Sequence, residues 1–206
     1  MAERPFQPAP ALTQAPALTL PPAEVAAIRD AYAGAGVILE YGSGGSTALA
    51  AGMAGKVVFA VESDASWAQG LRDWFTANPP AAARVVIHHA DVGETGKWGM
   101  PVDNRAWTRF HGYPLSVWDL DGFEHPDVVL VDGRFRAACF LATLYRITRP
   151  VTLFWDDYID RKTYHEVERL AKPVAMHGRM ARFDLTPTPI LGADLAWIID
   201  QFTRKQ

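Results

Sequence analysis

The chain has one cysteine, Cys139, so no disulfide can form within it. That usage fits a reducing compartment. No apolar run reaches the roughly 18 residues that a membrane span needs. No sign of charge dominates: 20 Lys and Arg against 23 Asp and Glu leave a net charge of −3. Bulk charge therefore gives no hold on nucleic acid or on an anionic membrane. There is no internal repeat. The N-terminal stretch lacks the unbroken apolar core of a signal peptide, because Pro5, Pro8, Pro10 and Pro16 interrupt it. Residues 1–21 are expected to form an extended or disordered arm and residues 22–206 a single domain in the cytoplasm. The chain is long enough for one sizeable core.

What is present is organised around Val37-Ile-Leu-Glu-Tyr-Gly-Ser-Gly-Gly-Ser-Thr47. An apolar strand ends in Glu40, a turn of small residues follows, and a helix-compatible run begins near Ala48. Glycines let backbone approach a ligand, and a new helix presents unpaired N–H groups to the turn. Further apolar runs at 56–62, 85–89, 127–132 and 151–155 are continuous rather than alternating, as in strands buried on both faces of a parallel sheet. Helical patterns fall between them, including 134–147 and 160–172. Residues 174–177 and 180–185 read as an antiparallel hairpin around Gly178, and 195–202 as a terminal helix. The expected fold is α/β and Rossmann-like: a doubly wound, mostly parallel seven-stranded sheet with a C-terminal antiparallel hairpin. Residues 92–125 have no clean period and are rich in Gly, Pro and aromatics. An insertion of this kind reads as a lid or acceptor wall, or as a loop with its own small apolar cluster.

Each of the five apolar strands delivers an acid at or just past its carboxyl end: Glu40, Glu62, Asp91, Asp132, and Asp156 with Asp157. Ligands of doubly wound sheets bind at that edge. The turn has no lysine, which argues against a P-loop, and Thr47 stands where a dinucleotide fingerprint needs its third glycine. S-adenosylmethionine suits the acids better, since its ammonium, sulfonium, ribose diol and adenine amino group are cationic or donate hydrogen bonds. Glu40-x-Gly42-x-Gly44-x-Ser46 resembles the first motif of the class I S-adenosylmethionine-dependent methyltransferases, with Ser46 in place of the usual last glycine. Glu62 resembles the family's ribose-binding acid, and Ala90-Asp91-Val92 its adenine-contacting segment. The resemblance implies cofactor contacts from Glu40 (near the ammonium), Gly42, Ser43, Gly44, Ser46, Glu62, Ser63, Asp91 and Val92. As an alternative, Glu62 caps the following helix.

Candidates for the chemistry lie after the fourth and fifth strands: Asp132, Arg134 and Asp157. Asp132, Asp156 and Asp157 together are similar to the acids that hold magnesium in catechol-type O-methyltransferases, which implies a Mg2+ site. In the alternative reading Asp157 or Asp160 caps the following helix and Arg134 or Arg161 neutralises Asp132, or Arg134 and Arg136 clamp a carboxylate or sugar acid. Residues 134–182 carry ten bases and five acids, against eight and fifteen in residues 1–133. His165-Glu166 is not the His-Glu-x-x-His zinc motif, and Cys139 and the His88/His89 pair read as structural. The expected activity is methyl transfer to a small-molecule or sugar acceptor, at oxygen. The alternatives are a catalytically silent cofactor-binding module and an NAD-dependent oxidoreductase. Neither nucleic acid nor membrane is an expected partner, and a homodimer is compatible with the sequence.

Overall fold

A computed structural model describes residues 12–205. Seven strands form one sheet: β1 (Val37–Tyr41), β2 (Val57–Glu62), β3 (Arg84–His89), β4 (Val128–Val131), β5 (Val151–Trp155), β6 (Ala175–His177) and β7 (Met180–Leu185). Their order is β3-β2-β1-β4-β5-β7-β6. The first five run parallel, and β7 pairs antiparallel with both β5 and β6. This is the expected α/β arrangement. Strand order reverses between β1 and β4, so the carboxyl ends of those two strands flank a crevice.

The continuous apolar runs are explained by two covered faces. Ile38, Val58, Val128, Leu130 and Phe154 meet Ile28 and Tyr32 of α1 (Pro22–Gly34) and Ala50 of α2 (Gly45–Ala51). Ala60 and Ile87 meet Ala68 and Leu71 of α3 (Ala65–Ala77). The alternate residues, among them Leu39, Phe59, Val129, Leu153 and Phe183, pack on the other face. There they meet α6 (Arg136–Arg146), α7 (Leu195–Thr203), and α4 (Trp107–Phe110) with α5 (Gly112–Leu115) from the aperiodic segment. Most large residues of that segment are core: Phe110, Tyr113 and Val117 are buried, and only Trp98 and Trp107 are strongly exposed among its aromatics.

One local expectation changes. The run at 160–172 forms a 3-10 segment, Lys162–Arg169, instead of an α-helix. Its side chains are tied back to Tyr158: His165 stacks on the Tyr158 ring and bonds its carbonyl at 3.1 Å, and Tyr158 donates to Glu168 at 3.0 Å. The expected N-terminal arm is described from residue 12, its first eleven residues lying outside the described ones. Leu18 and Leu20 pack on the α1 side of the sheet, so this part of the arm lies against the domain.

The ends of β1 and β4 touch through glycine. Gly42 has φ +106, and a Cβ there would lie 2.9 Å from the Gly133 amide nitrogen; a Cβ on Gly133 would lie 2.7 Å from the Gly42 nitrogen. Neither position has room for a side chain. Gly133→Ala is expected to destabilise the protein by roughly 2 kcal/mol or more in urea unfolding, in the range of overpacked cores. Gly112→Ala, with open space around the new Cβ, is expected to be neutral or slightly stabilising.

Candidate functional site

A cavity of about 660 Å³ opens at the carboxyl edge of the sheet. One wall is the turn Gly42–Ser46 between β1 and α2, completed by Glu62, Ser63, Asp64 and Trp67 after β2. The other wall is Asp132–Arg134 and Arg136 after β4, with Asp156, Asp157, Arg161 and Arg179. Pro16–Leu20 and Trp98-Gly99 close the sides.

The glycine turn is braced from below. Thr47 Oγ1 accepts from the Gly44 amide at 3.0 Å and donates to Glu40, whose other oxygen accepts from the Tyr32 hydroxyl at 2.7 Å. Glu40 is fully buried, and burial pushes its carboxyl up to about 7 against the hydrogen bonds from Thr47, Tyr32 and Ser46. Glu62 is anchored differently. One oxygen accepts from the amides of Ser63 and Asp64 at 2.8 and 2.9 Å, and the other accepts from the Ser43 hydroxyl at 2.7 Å. Burial raises its pKa as well. The capping expected of this region falls to Asp64, which accepts from the Trp67 amide at 2.8 Å, so Glu62 does not cap the helix through its own side chain.

The opposite wall is a charge lattice. Arg136, buried, reaches Asp132 Oδ1 at 3.2 Å and Asp157 Oδ2 at 3.3 Å, and donates to the carbonyls of Gly133 and Asp156. Arg179 grips both oxygens of Asp156 at 3.0 and 2.9 Å and reaches Asp157 at 3.0 Å. Arg161 reaches Asp157 at 2.8 Å. Burial works against the Asp156 charge, but the Arg179 fork holds its carboxyl below the usual range. Burial pushes Asp132 up to about 7; Arg136 opposes the shift and the Asp156 charge adds to it.

Backbone strain gathers here. Among the described residues the non-glycine positions with left-handed backbone are Trp98 (φ 62), Phe135 (φ 52) and Asp157 (φ 57). Two of them line the cavity and the third follows Arg134. Such conformations cost about 1–3 kcal/mol each and cluster at functional sites.

The chain is 52% identical to a methyltransferase-like protein of Silicibacter pomeroyi, with a TM-score of 0.88, over 92% of this chain and 98% of that one. It belongs to the class I S-adenosylmethionine-dependent methyltransferases. A methyltransferase of Geobacter sulfurreducens shares the fold alone, at 10% identity and a TM-score of 0.50, over 86% of this chain and 82% of that one. No protein-family model and no curated protein matches the chain.

On this methyltransferase fold, Gly42, Ser43, Gly44, Ser46, Glu62 and Ser63 stand on one cavity wall and Asp132, Arg134, Asp156 and Asp157 on the other. Glu40 does not reach the cavity, because Tyr32 and Thr47 enclose it beneath the turn. Asp91 and Val92 are not on its wall either. Val92 is core, and Asp91 accepts from the Gly93 amide and pairs with Arg109. The backbone of Gly99 takes the place beside Ser63, accepting from its hydroxyl at 2.8 Å.

The expected magnesium site does not fit. Asp132, Asp156 and Asp157 already face guanidinium groups, and among the described residues no three His, Cys, Asp or Glu side chains are grouped to hold a metal. Sequence reasoning passed over Trp67, Trp98, Tyr113 and Arg179. Arg179 had a signal: an antiparallel last strand returns its first residues to the carboxyl edge of β5, where the Arg179 carbonyl accepts from the Tyr158 amide at 2.9 Å.

Glu40 makes a prediction about pH. Its folded pKa lies above the ordinary 4.5. Its contribution to stability is therefore complete below about pH 4.5 and is lost as pH rises through about 7, a loss of roughly 3 kcal/mol. Glu40→Gln is expected to remove that loss, so its stability relative to wild type improves from pH 5 to pH 8 in urea unfolding. An unchanged difference would mean that Glu40 stays ionised throughout.

Proposed function

We propose that the protein transfers the methyl group of S-adenosylmethionine to a hydroxyl oxygen of a small-molecule or sugar acceptor. The observation that carries this is one cavity with two unlike walls. A buried carboxylate beside a glycine turn faces an aspartate with a pKa near 7. The first wall fits the cofactor. Glu62 offers carboxylate oxygens to the ribose hydroxyls, the Ser43 hydroxyl holding one of those oxygens in the free protein. A Cβ at Gly44 would meet nothing within 4 Å, so the turn leaves space for the methionine part. When bound, S-adenosylmethionine supplies an activated methyl group on a sulfonium.

The second wall supplies the proton chemistry. An acceptor hydroxyl must lose its proton as its oxygen attacks, and a base is most effective when its pKa lies near the working pH. Asp132 meets that requirement through burial and the adjacent Asp156 charge. Arg136 fixes its carboxylate. Asp157 joins Arg136, Arg161 and Arg179 and so positions the wall. Guanidinium groups take the neutralising role that a metal would otherwise have, and no step needs Mg2+.

Calorimetric titration with S-adenosylhomocysteine, followed by turnover of S-adenosylmethionine across hydroxylated small molecules and sugars, tests the proposal. Wild type is expected to bind, and its rate to rise with pH through about 7 as Asp132 deprotonates. Asp132→Asn is expected to keep affinity within about threefold and to lose at least about 100-fold in rate, the scale of a general base. Absence of binding at millimolar ligand would refute the cofactor, and binding without turnover would leave a silent module.

A further inference from the structure

The cavity contains one arginine that the charge lattice leaves out. Arg136, Arg161 and Arg179 each pair with an aspartate. Arg134 lines the same cavity, and among the described residues no carboxylate pairs with it. Its Nε is shut off from solvent and has no acceptor among the described residues. The charged groups that bear on it are Arg136 and Arg161, both cations, and the polar groups are the Tyr113 and Tyr164 hydroxyls. Burial and those two cations disfavour its charge.

The residue is nevertheless firmly held. Gly133 before it is packed on Gly42, its own amide donates to the Tyr113 hydroxyl at 3.3 Å, and Phe135 after it sits in the left-handed region. A half-buried guanidinium on a fixed backbone, with its Nε shut off from solvent and no counter-charge, is costly unless an anion completes it. Asp132, Asp156 and Asp157 line this end of the cavity with Arg134, Arg136, Arg161 and Arg179, and Glu24, behind the wall, adds a fourth carboxylate on Arg179 at 3.8 Å. The four acids all lie on the other three arginines, and Arg134 alone faces the cavity without one.

Resting on the methyl-transfer reading, we infer that the acceptor is an anion whose carboxylate or phosphate is received by Arg134. A planar guanidinium binds either group through two parallel hydrogen bonds and so orients the acceptor as well as holding it. The methionine carboxylate of the cofactor has the same chemistry. The neighbours of Arg134 favour the acceptor: Arg161 and Tyr164 come from the segment after β5, which in the sheet order lies beyond β4 from β1 and β2, whose ends carry Ser43 and Glu62.

The test uses inorganic phosphate and benzoate as probes, read by thermal shift and calorimetry on the S-adenosylhomocysteine-loaded protein. Wild type is expected to show saturable stabilisation by at least one of them at millimolar concentration. Arg134→Gln is expected to weaken that response tenfold or more while keeping S-adenosylhomocysteine affinity within threefold. Arg134→Lys is expected to retain part of the response, and the exposed Arg105→Gln all of it. A tenfold loss of S-adenosylhomocysteine affinity in Arg134→Gln, with the anion response intact, would assign Arg134 to the cofactor and overturn the inference. A wild-type complex indifferent to both anions would overturn it too. If wild type bound no S-adenosylhomocysteine, the methyl-transfer reading would fall. An Arg134-dependent anion response of the free protein would then still support the anion site, and its absence would end both.

Discussion

One buried cation holds the working edge of this molecule together. The Arg136 guanidinium bonds the carbonyls of Asp132, Gly133 and Asp156 and faces the carboxylates of Asp132 and Asp157. It joins the loop after β4 to the loop after β5, which run side by side only because those strands are parallel neighbours. Removing one partner of a buried ion pair costs about 3–5 kcal/mol, because the charge left behind has neither water nor counter-ion. Placement of Asp132, Asp157 and the strained backbone at Asp157 follows from this link.

The lattice divides the cavity electrically. Toward β2 the groups are Glu62 and Asp64, and beyond β4 and β5 arginines outnumber aspartates. The first end suits donors and positive charge, the second oxygen acceptors. Two carboxyls on opposite sides of the switch point, Glu40 and Asp132, are both pushed to about 7, and burial is the leading cause for each. Their situations differ. Glu40 is sealed beneath the turn, whereas Asp132 stands on the cavity wall.

The fold was legible because its signals are local. Continuous apolar runs, the glycines of the first turn and the hairpin at Gly178 each dictate their element with little help from elsewhere. The wall built by Gly42, Ser43 and Glu62 was legible for the same reason, as acids and glycines at strand ends have one edge to occupy. What failed depended on partners far apart in sequence. Whether Asp132, Asp156 and Asp157 face a metal or arginines rests on Arg136 and Arg179, and Arg179 arrives from β7. Asp91 is turned away by Arg109, 18 residues on. Glu40 is enclosed by Tyr32 from the preceding helix, a contact that no strand-end pattern records.

The decisive measurement is a crystal structure of the S-adenosylhomocysteine complex. The expected complex has the ribose hydroxyls on Glu62, with the Ser43 hydroxyl released from it, and the sulfur turned toward Asp132 and Arg134. Ligand bound away from Glu62, or with its sulfur facing away from the wall after β4, would contradict it.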